Sequence, residues 1–199
     1  MRSITFASLA AFAAVAAIAV SPASAQTTGG ISITKGGDNY NKSRGSFSEA
    51  DQRVTTLGGF ASHHGTAKTF GGDNYNDAKG RFSYAGQDIT TVGGYASGHG
   101  KVITKGGYNE NKALGYGSTA LQSATTIGGN AHGYGVSKTY GGDNTNKAIG
   151  AYSYADQQVV TLGGNAGRYG KSIVKGGDNT NKAVGYGSTA TQQVFTAGQ

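Results

Sequence analysis

The sequence predicts an all-β protein: a repeat β-solenoid, or amyloid-like stack, of five 35-residue layers. Three observations carry that prediction. A Gly-Gly pair returns at Gly36-Gly37, Gly71-Gly72, Gly106-Gly107, Gly141-Gly142 and Gly176-Gly177, a constant step of 35 with no insertion or deletion. A Ser-x-Ala-x-Gln motif keeps the same step, and the chain after residue 25 has no helical periodicity, only short β-branched runs between Gly- and Asn-rich turns. Loops tolerate changes of length, whereas stacked layers must keep count, so a fixed period of this size marks a solenoid, propeller or array.

Taken in chain order, Arg2 is followed by an apolar run over residues 4–20, then Ser21, Pro22 and Ala23-Ser24-Ala25. This is the pattern of a secretory signal peptide over residues 1–25. The run is shorter than the roughly 20 residues that span a bilayer. The expected mature chain begins near Gln26, has no membrane span, and is exported to the outside or surface of a bacterium. Residues 26–29 form a short lead, and the units begin at Gly30, Gly65, Gly100, Gly135 and Gly170 and run to Gln199.

Each unit reads as two or three short strands. One precedes the Gly-Gly-Asp-Asn turn, as at residues 31–35, 102–105 and 172–175. Another carries the motif, seen as Ser48 and Gln52, Ser83 and Gln87, Ser118 and Gln122, Ser153 and Gln157, Ser188 and Gln192, with Ala between. A spacing of two places these residues on one face of a strand. It runs on through Val54-Thr55-Thr56-Leu57 or Ile89-Thr90-Thr91-Val92 to the next Gly-Gly pair. Two Asn columns keep the same step, Asn39, Asn74, Asn109, Asn144 and Asn179, and Asn41, Asn76, Asn111, Asn146 and Asn181.

Propeller blades bury apolar faces against one another, and here the repeated inward candidates are Ser, Ala, Asn and Gln. With layers about 4.8 Å apart in register, a Gln or Asn amide donates to one neighbour and accepts from the other, so a column satisfies itself. The one Pro of the chain is Pro22, so every repeat N–H is available to a ladder.

What alternates also points to stacking. Units one, three and five carry Lys35, Lys105 and Lys175 where units two and four carry Phe70 and Tyr140, while Lys68 and Lys138 fall beside Ile33, Ile103 and Ile173. In successive layers each of these lysines meets an aliphatic or aromatic residue and not another lysine. That avoids like-charge repulsion across strands and adds cation–π contact.

Cysteine is absent, so stability must come from repetition and not from disulfides. Loss of Arg2 with the leader reduces the net charge from +7 to +6, spread along the chain. The spread allows weak, salt-sensitive attraction to polyanions without a specific nucleic-acid site.

Catalysis needs unlike reactive groups brought together once, and no non-repeated cluster of them occurs, so an enzyme is not expected and no cofactor is implied. His63, His64, His99 and His132 lie in the turn after the second Gly-Gly pair, where His64 and His99 share a column with Tyr134 and Tyr169. Asp38, Asp73, Asp143 and Asp178 form a column interrupted by Tyr108, as expected for turn residues. It lacks the Gly-Gly-x-Gly-x-Asp nonapeptide of calcium β-rolls.

With these Ser, Gln and Asn columns, Gly- and Asn-rich turns, a leader and no Cys or Pro in the repeats, the chain resembles the curlin-type subunits of bacterial functional amyloids. The unit is longer than a curlin repeat and has a single Gln column. The resemblance implies a two-sheet solenoid that polymerises with copies of itself at the cell surface. It also implies export through an outer-membrane pore and growth from a nucleator subunit. The expected function is a fibre subunit for biofilm matrix or adhesion, with uncapped ends that favour polymerisation. The alternative is a soluble β-solenoid binding module, an adhesin or ice-binding face built on exposed Thr and Tyr.

Overall fold

The computed structural model describes residues 14–21, 26–28, 30–62, 64–167 and 169–198. The signal-peptide reading lies outside the described residues except at Ala14–Ser21, whose backbone forms a strand. Among the described residues all regular structure is β, in four parallel sheets.

A long sheet holds Ala14–Ser21, Glu49–Leu57, Tyr84–Val92, Thr119–Ile127, Tyr154–Leu162 and Thr189–Ala197. An Asn sheet holds Asn39–Arg44, Asn74–Lys79, Asn109–Leu114, Asn144–Ile149 and Asn179–Val184, and a Lys sheet holds Ile31–Lys35, Thr66–Phe70, Lys101–Lys105, Val136–Tyr140 and Lys171–Lys175. A short sheet of Gln26–Thr28, Phe60–Ser62, Tyr95–Ala96 and Asn130–Ala131 closes one edge. The chain passes through the short, Lys, Asn and long sheets once per turn of the solenoid. Each full layer therefore has four strands, because the segment read as one turn between two Gly-Gly pairs contains the short strand as well.

Strands pair only with the layers before and after. Gln87 lies opposite Gln52 and Gln122, Asn109 opposite Asn74 and Asn144, and Lys105 opposite Phe70 and Tyr140. These ladders keep the 35-residue step, whereas Gln26 lies opposite Phe60, a step of 34. In-register stacking is favoured because like side chains occupy like environments in every layer and the outward residues that would repel are varied.

The long sheet lies opposite the Asn and Lys sheets. Asn76 Nδ2 donates across the gap to Gly86 O at 2.6 Å and Ala50 O at 3.0 Å, which fixes the Asn half. On the Lys half, a β-carbon added at Gly93 would lie 2.1 Å from Thr104 Oγ1. Between the sheets the apolar core is thin: Ala50, Ala85, Ala120 and Ala155 against Ala78, Ala113 and Ala148, with a second cluster of Ala61, Ala67, Ala96, Val102 and Ala131. Alanine brings the backbones close; beyond these clusters a column of Val54, Ile89, Ala124 and Val159 is buried, and the rest of the interior is Ser, Thr, Asn and Gln, so hydrogen bonding carries much of the packing.

The arch from the Asn sheet to the long sheet has two residues with positive φ, an invariant glycine (Gly45, Gly80, Gly115, Gly150 or Gly185) and, two residues on, a position in the left-handed region proper. Gly117 (φ 65°) and Gly187 (φ 66°) supply it in two layers, and Phe47 (φ 57°), Phe82 (φ 54°) and Tyr152 (φ 56°) adopt it in the others. An aromatic there costs backbone energy that ring contact offsets, as in the Phe47–Phe82 stack at 5.3 Å.

Candidate functional site

The sequence-derived columns fall into two kinds. The Gln side chains form one continuous amide ladder: Gln87, Gln122, Gln157 and Gln192 each donate Nε2 to Oε1 of the preceding Gln at 2.8, 2.7, 2.6 and 2.6 Å. Gln52 and Gln157 are fully buried, Gln87 and Gln122 almost so, and Gln192 is exposed at the last layer.

The Asn ladders run with opposite polarity, their amides donating to the next layer, except that Asn76 Oδ1 receives no bond from the first layer. Asn39, Asn74, Asn109 and Asn144 donate to the Asn that follows at 2.7–2.8 Å. Asn76, Asn111 and Asn146 do so at 3.0 Å. Their second N–H reaches backbone: Asn74, Asn144 and Asn179 to the glycine oxygen two residues back, and Asn41, Asn111 and Asn181 across to the long sheet.

The Ser column is of the second kind. Ser48, Ser83, Ser118, Ser153 and Ser188 lie one residue before their strands, inside the arch. Ser48 Oγ donates to Ser83 Oγ at 3.2 Å, but Ser83, Ser118 and Ser153 turn to the glycine oxygen three residues back at 2.6–2.7 Å, and Ser188 reaches Gly150 O. The hydroxyls reach a neighbouring layer only at some positions and form no continuous ladder; the role that recurs in the interior layers is to fasten the arch.

Two buried Thr columns went unseen in the sequence: Thr34, Thr69, Thr104 and Thr139, and Thr56, Thr91, Thr126 and Thr161. All but Thr34 are seated against a glycine of a turn across the gap, Thr104 against Gly93 and Thr91 against Gly71. The signal was available in the constant offset from Thr to the Gly-Gly pairs.

At the first layer, Gln52 Nε2 is buried and has no hydrogen-bond partner. Its register partner in the covering strand is Ala17, which has no amide to accept the bond. The Lys and Asn sheets begin at Ile31–Lys35 and Asn39–Arg44 with no described strand before them, and a β-carbon on Gly37 would touch nothing within 4 Å. In the equivalent interior glycines Gly72, Gly107 and Gly142 the same atom would strike the preceding layer's glycine oxygen at 2.0–2.3 Å.

Outward faces carry the charge. The Lys sheet presents Lys35, Lys68, Lys101, Lys105, Lys138, Lys171 and Lys175 with no acid, while the long sheet presents Glu49, Asp51, Asp88 and Asp156 with Arg53, which pairs with Asp88 at 3.4 Å. Lys105 Nζ sits 6.0 Å from the Phe70 ring centre and 5.6 Å from that of Tyr140. His64, His99, Tyr134 and Tyr169 form a parallel stack with centroids 4.8–5.0 Å apart. The turn aspartates are held by the backbone: Asp38, Asp73 and Asp143 each accept the N–H of the next layer. Among the described residues no three His, Asp or Glu side chains converge on one point. Burial pushes the Tyr84 phenol above its ordinary value, reinforced by Asp51 and Glu49, and burial followed by Glu110 does the same for Tyr108.

No family model matches this chain, and neither a curated protein nor a solved structure is significantly similar to it.

Proposed function

We propose that this chain is a secreted bacterial structural subunit, not an enzyme, that stacks head to tail into an extracellular, curlin-like amyloid fibre of matrix or adhesive role. The observation that carries the reading is the complementarity of the first and last layers. Beneath Ala14–Ser21 the first layer holds a buried amide donor, Gln52 Nε2, without an acceptor, and the last presents the acceptor oxygen Gln192 Oε1 at an exposed edge. The Asn columns invert the pair, with the Asn39 oxygen at the first layer and the Asn179 amide at the last. With residues 1–25 removed, a second copy laid on the stack in the same register takes the place of Ala14–Ser21, continues all three columns and gives Gln52 Nε2 the acceptor that the covering strand does not supply, relieving a cost of about 1–3 kcal/mol per buried unsatisfied group.

Gly37 gives the test. Replacing Gly72 by Ala drives a methyl into the Gly37 oxygen at 2.1 Å within one chain and is expected to destabilise the monomer by about 3 kcal/mol or more. Replacing Gly37 by Ala meets nothing in the monomer. In the fibre it would strike the Gly177 oxygen of the next copy. The Gly37→Ala protein lacking residues 1–25 should therefore unfold like wild type in a thermal melt and fail to elongate by electron microscopy. Elongation at the wild-type rate would sink head-to-tail stacking in this register. Wild-type protein that stays monomeric would favour the soluble binding module.

A further inference from the structure

Where the chain bends between the Lys and Asn sheets, layers two to four enclose an open groove of about 750 Å³. Its floor is glycine, at Gly71, Gly106, Gly107 and Gly141. One wall alternates Lys101, Lys105 and Lys138 with Phe70, Ile103 and Tyr140, and the other is Asp73, Tyr108 and Asp143. The volume lies in the range of ligand sites. The two walls differ in chemistry: one supplies cations interleaved with rings, the other hydrogen-bond acceptors and a phenol.

We propose that this groove binds an acidic polysaccharide of the uronate class. A uronate carries its carboxylate at one edge of the ring and hydroxyls at the other. Laid along the groove, its carboxylates face Lys101, Lys105 and Lys138 as charge-assisted hydrogen bonds, and its hydroxyls donate to Asp73 and Asp143. The apolar C–H face of a pyranose packs on Phe70 or Tyr140, whose ring faces carry negative charge. Lysine and aromatic residue recur every second layer, about 9.6 Å at a strand spacing near 4.8 Å, which is comparable to the length of a disaccharide. Single-stranded nucleic acid also combines charge with stacking bases, but its phosphates would meet the carboxylates of the second wall. The groove lies within one chain, so the inference does not depend on polymerisation.

The full chain is titrated with polygalacturonate, its methyl ester and single-stranded DNA at about 0.15 M salt. Polygalacturonate is expected to bind, and methyl esterification, which removes charge but keeps the ring, to weaken binding about tenfold or more. Lys105→Gln with Lys138→Gln should weaken polygalacturonate about tenfold, whereas Lys147→Gln with Lys182→Gln, an equal charge change outside the groove, should stay within about twofold. Asp73→Asn with Asp143→Asn should raise DNA affinity and not that of polygalacturonate. Equal losses from the two lysine pairs, DNA binding as tightly as polygalacturonate, parallel gains for both ligands on losing the aspartates, or no binding of polygalacturonate would each overturn the assignment.

Discussion

Thr69, Thr104 and Thr139 bury their hydroxyl oxygens without hydrogen-bond partners, and the layer after Thr139 replaces the residue with Val174. The column thus tolerates a methyl where a hydroxyl stands. Thr104→Val is expected to leave stability unchanged or to raise it by up to about 1–3 kcal/mol, because it removes a desolvated group that gains nothing. Denaturant unfolding measures this, and a loss above about 1 kcal/mol would mean that the methyl cannot be seated beside Gly93. The Gln and Asn columns were legible in the sequence because an amide that recurs at a fixed step has a self-pairing partner by chemistry. The Thr columns went unread although Thr56 lies at even spacing from Gln52 on the same face, because a hydroxyl, unlike an amide, has no self-pairing chemistry that marks it as a column. The structure buries Thr56 and leaves Thr55 half-buried.

At the level of strands, each layer is held only by its two neighbours, so whole layers are the units of stability. Deleting residues 65–99 preserves the 35-residue register but sets Lys35 against Lys105, where the intact stack sets both against Phe70. The shortened protein is expected to fold with reduced stability. Adding Lys35→Phe to the deletion should restore about 0.2–1 kcal/mol, the scale of a cross-strand pair. Thermal melts of the two deletion variants make the comparison, and no recovery would argue that the lysines are too solvated to repel. The strands beside the motif and before the Gly-Gly-Asp-Asn turn were readable from alternation. The short strand was not, because two or three residues such as Tyr95–Ala96 are too brief to show a period.

For the whole molecule, polymerisation in the stacked register meets one conflict. The first and last layers both carry Lys in the alternating column, so a junction brings Lys175 against Lys35. Elongation should accelerate as salt screens this contact. Lys175→Tyr, which copies the even layers, should elongate faster at low salt and lose most of the salt dependence. Light scattering across an ionic-strength series tests it. Slower wild-type elongation with added salt would show that attraction between the oppositely charged outer faces, and not the junction, governs assembly.

Repetition at a constant step fixed the class and the layer count in advance, because a chain that returns the same residues every 35 positions satisfies them all at once only by stacking them. Amide chemistry likewise selected the Gln and Asn columns. Tertiary structure decided what depends on the opposing sheet. That includes the role of Ser, set by a carbonyl within reach in the arch, and the placement of Thr, set by glycines across the gap. It includes the groove, whose two walls come from strands on either side of a bend. It includes the opposite polarity of the Gln and Asn ladders, because which way each amide points is set by the backbone carbonyls that take its second N–H, Asn74 O and Asn109 O for Gln87 and Gln122, and Gly72 O and Leu121 O for Asn74 and Asn111, and only the folded arrangement brings these near.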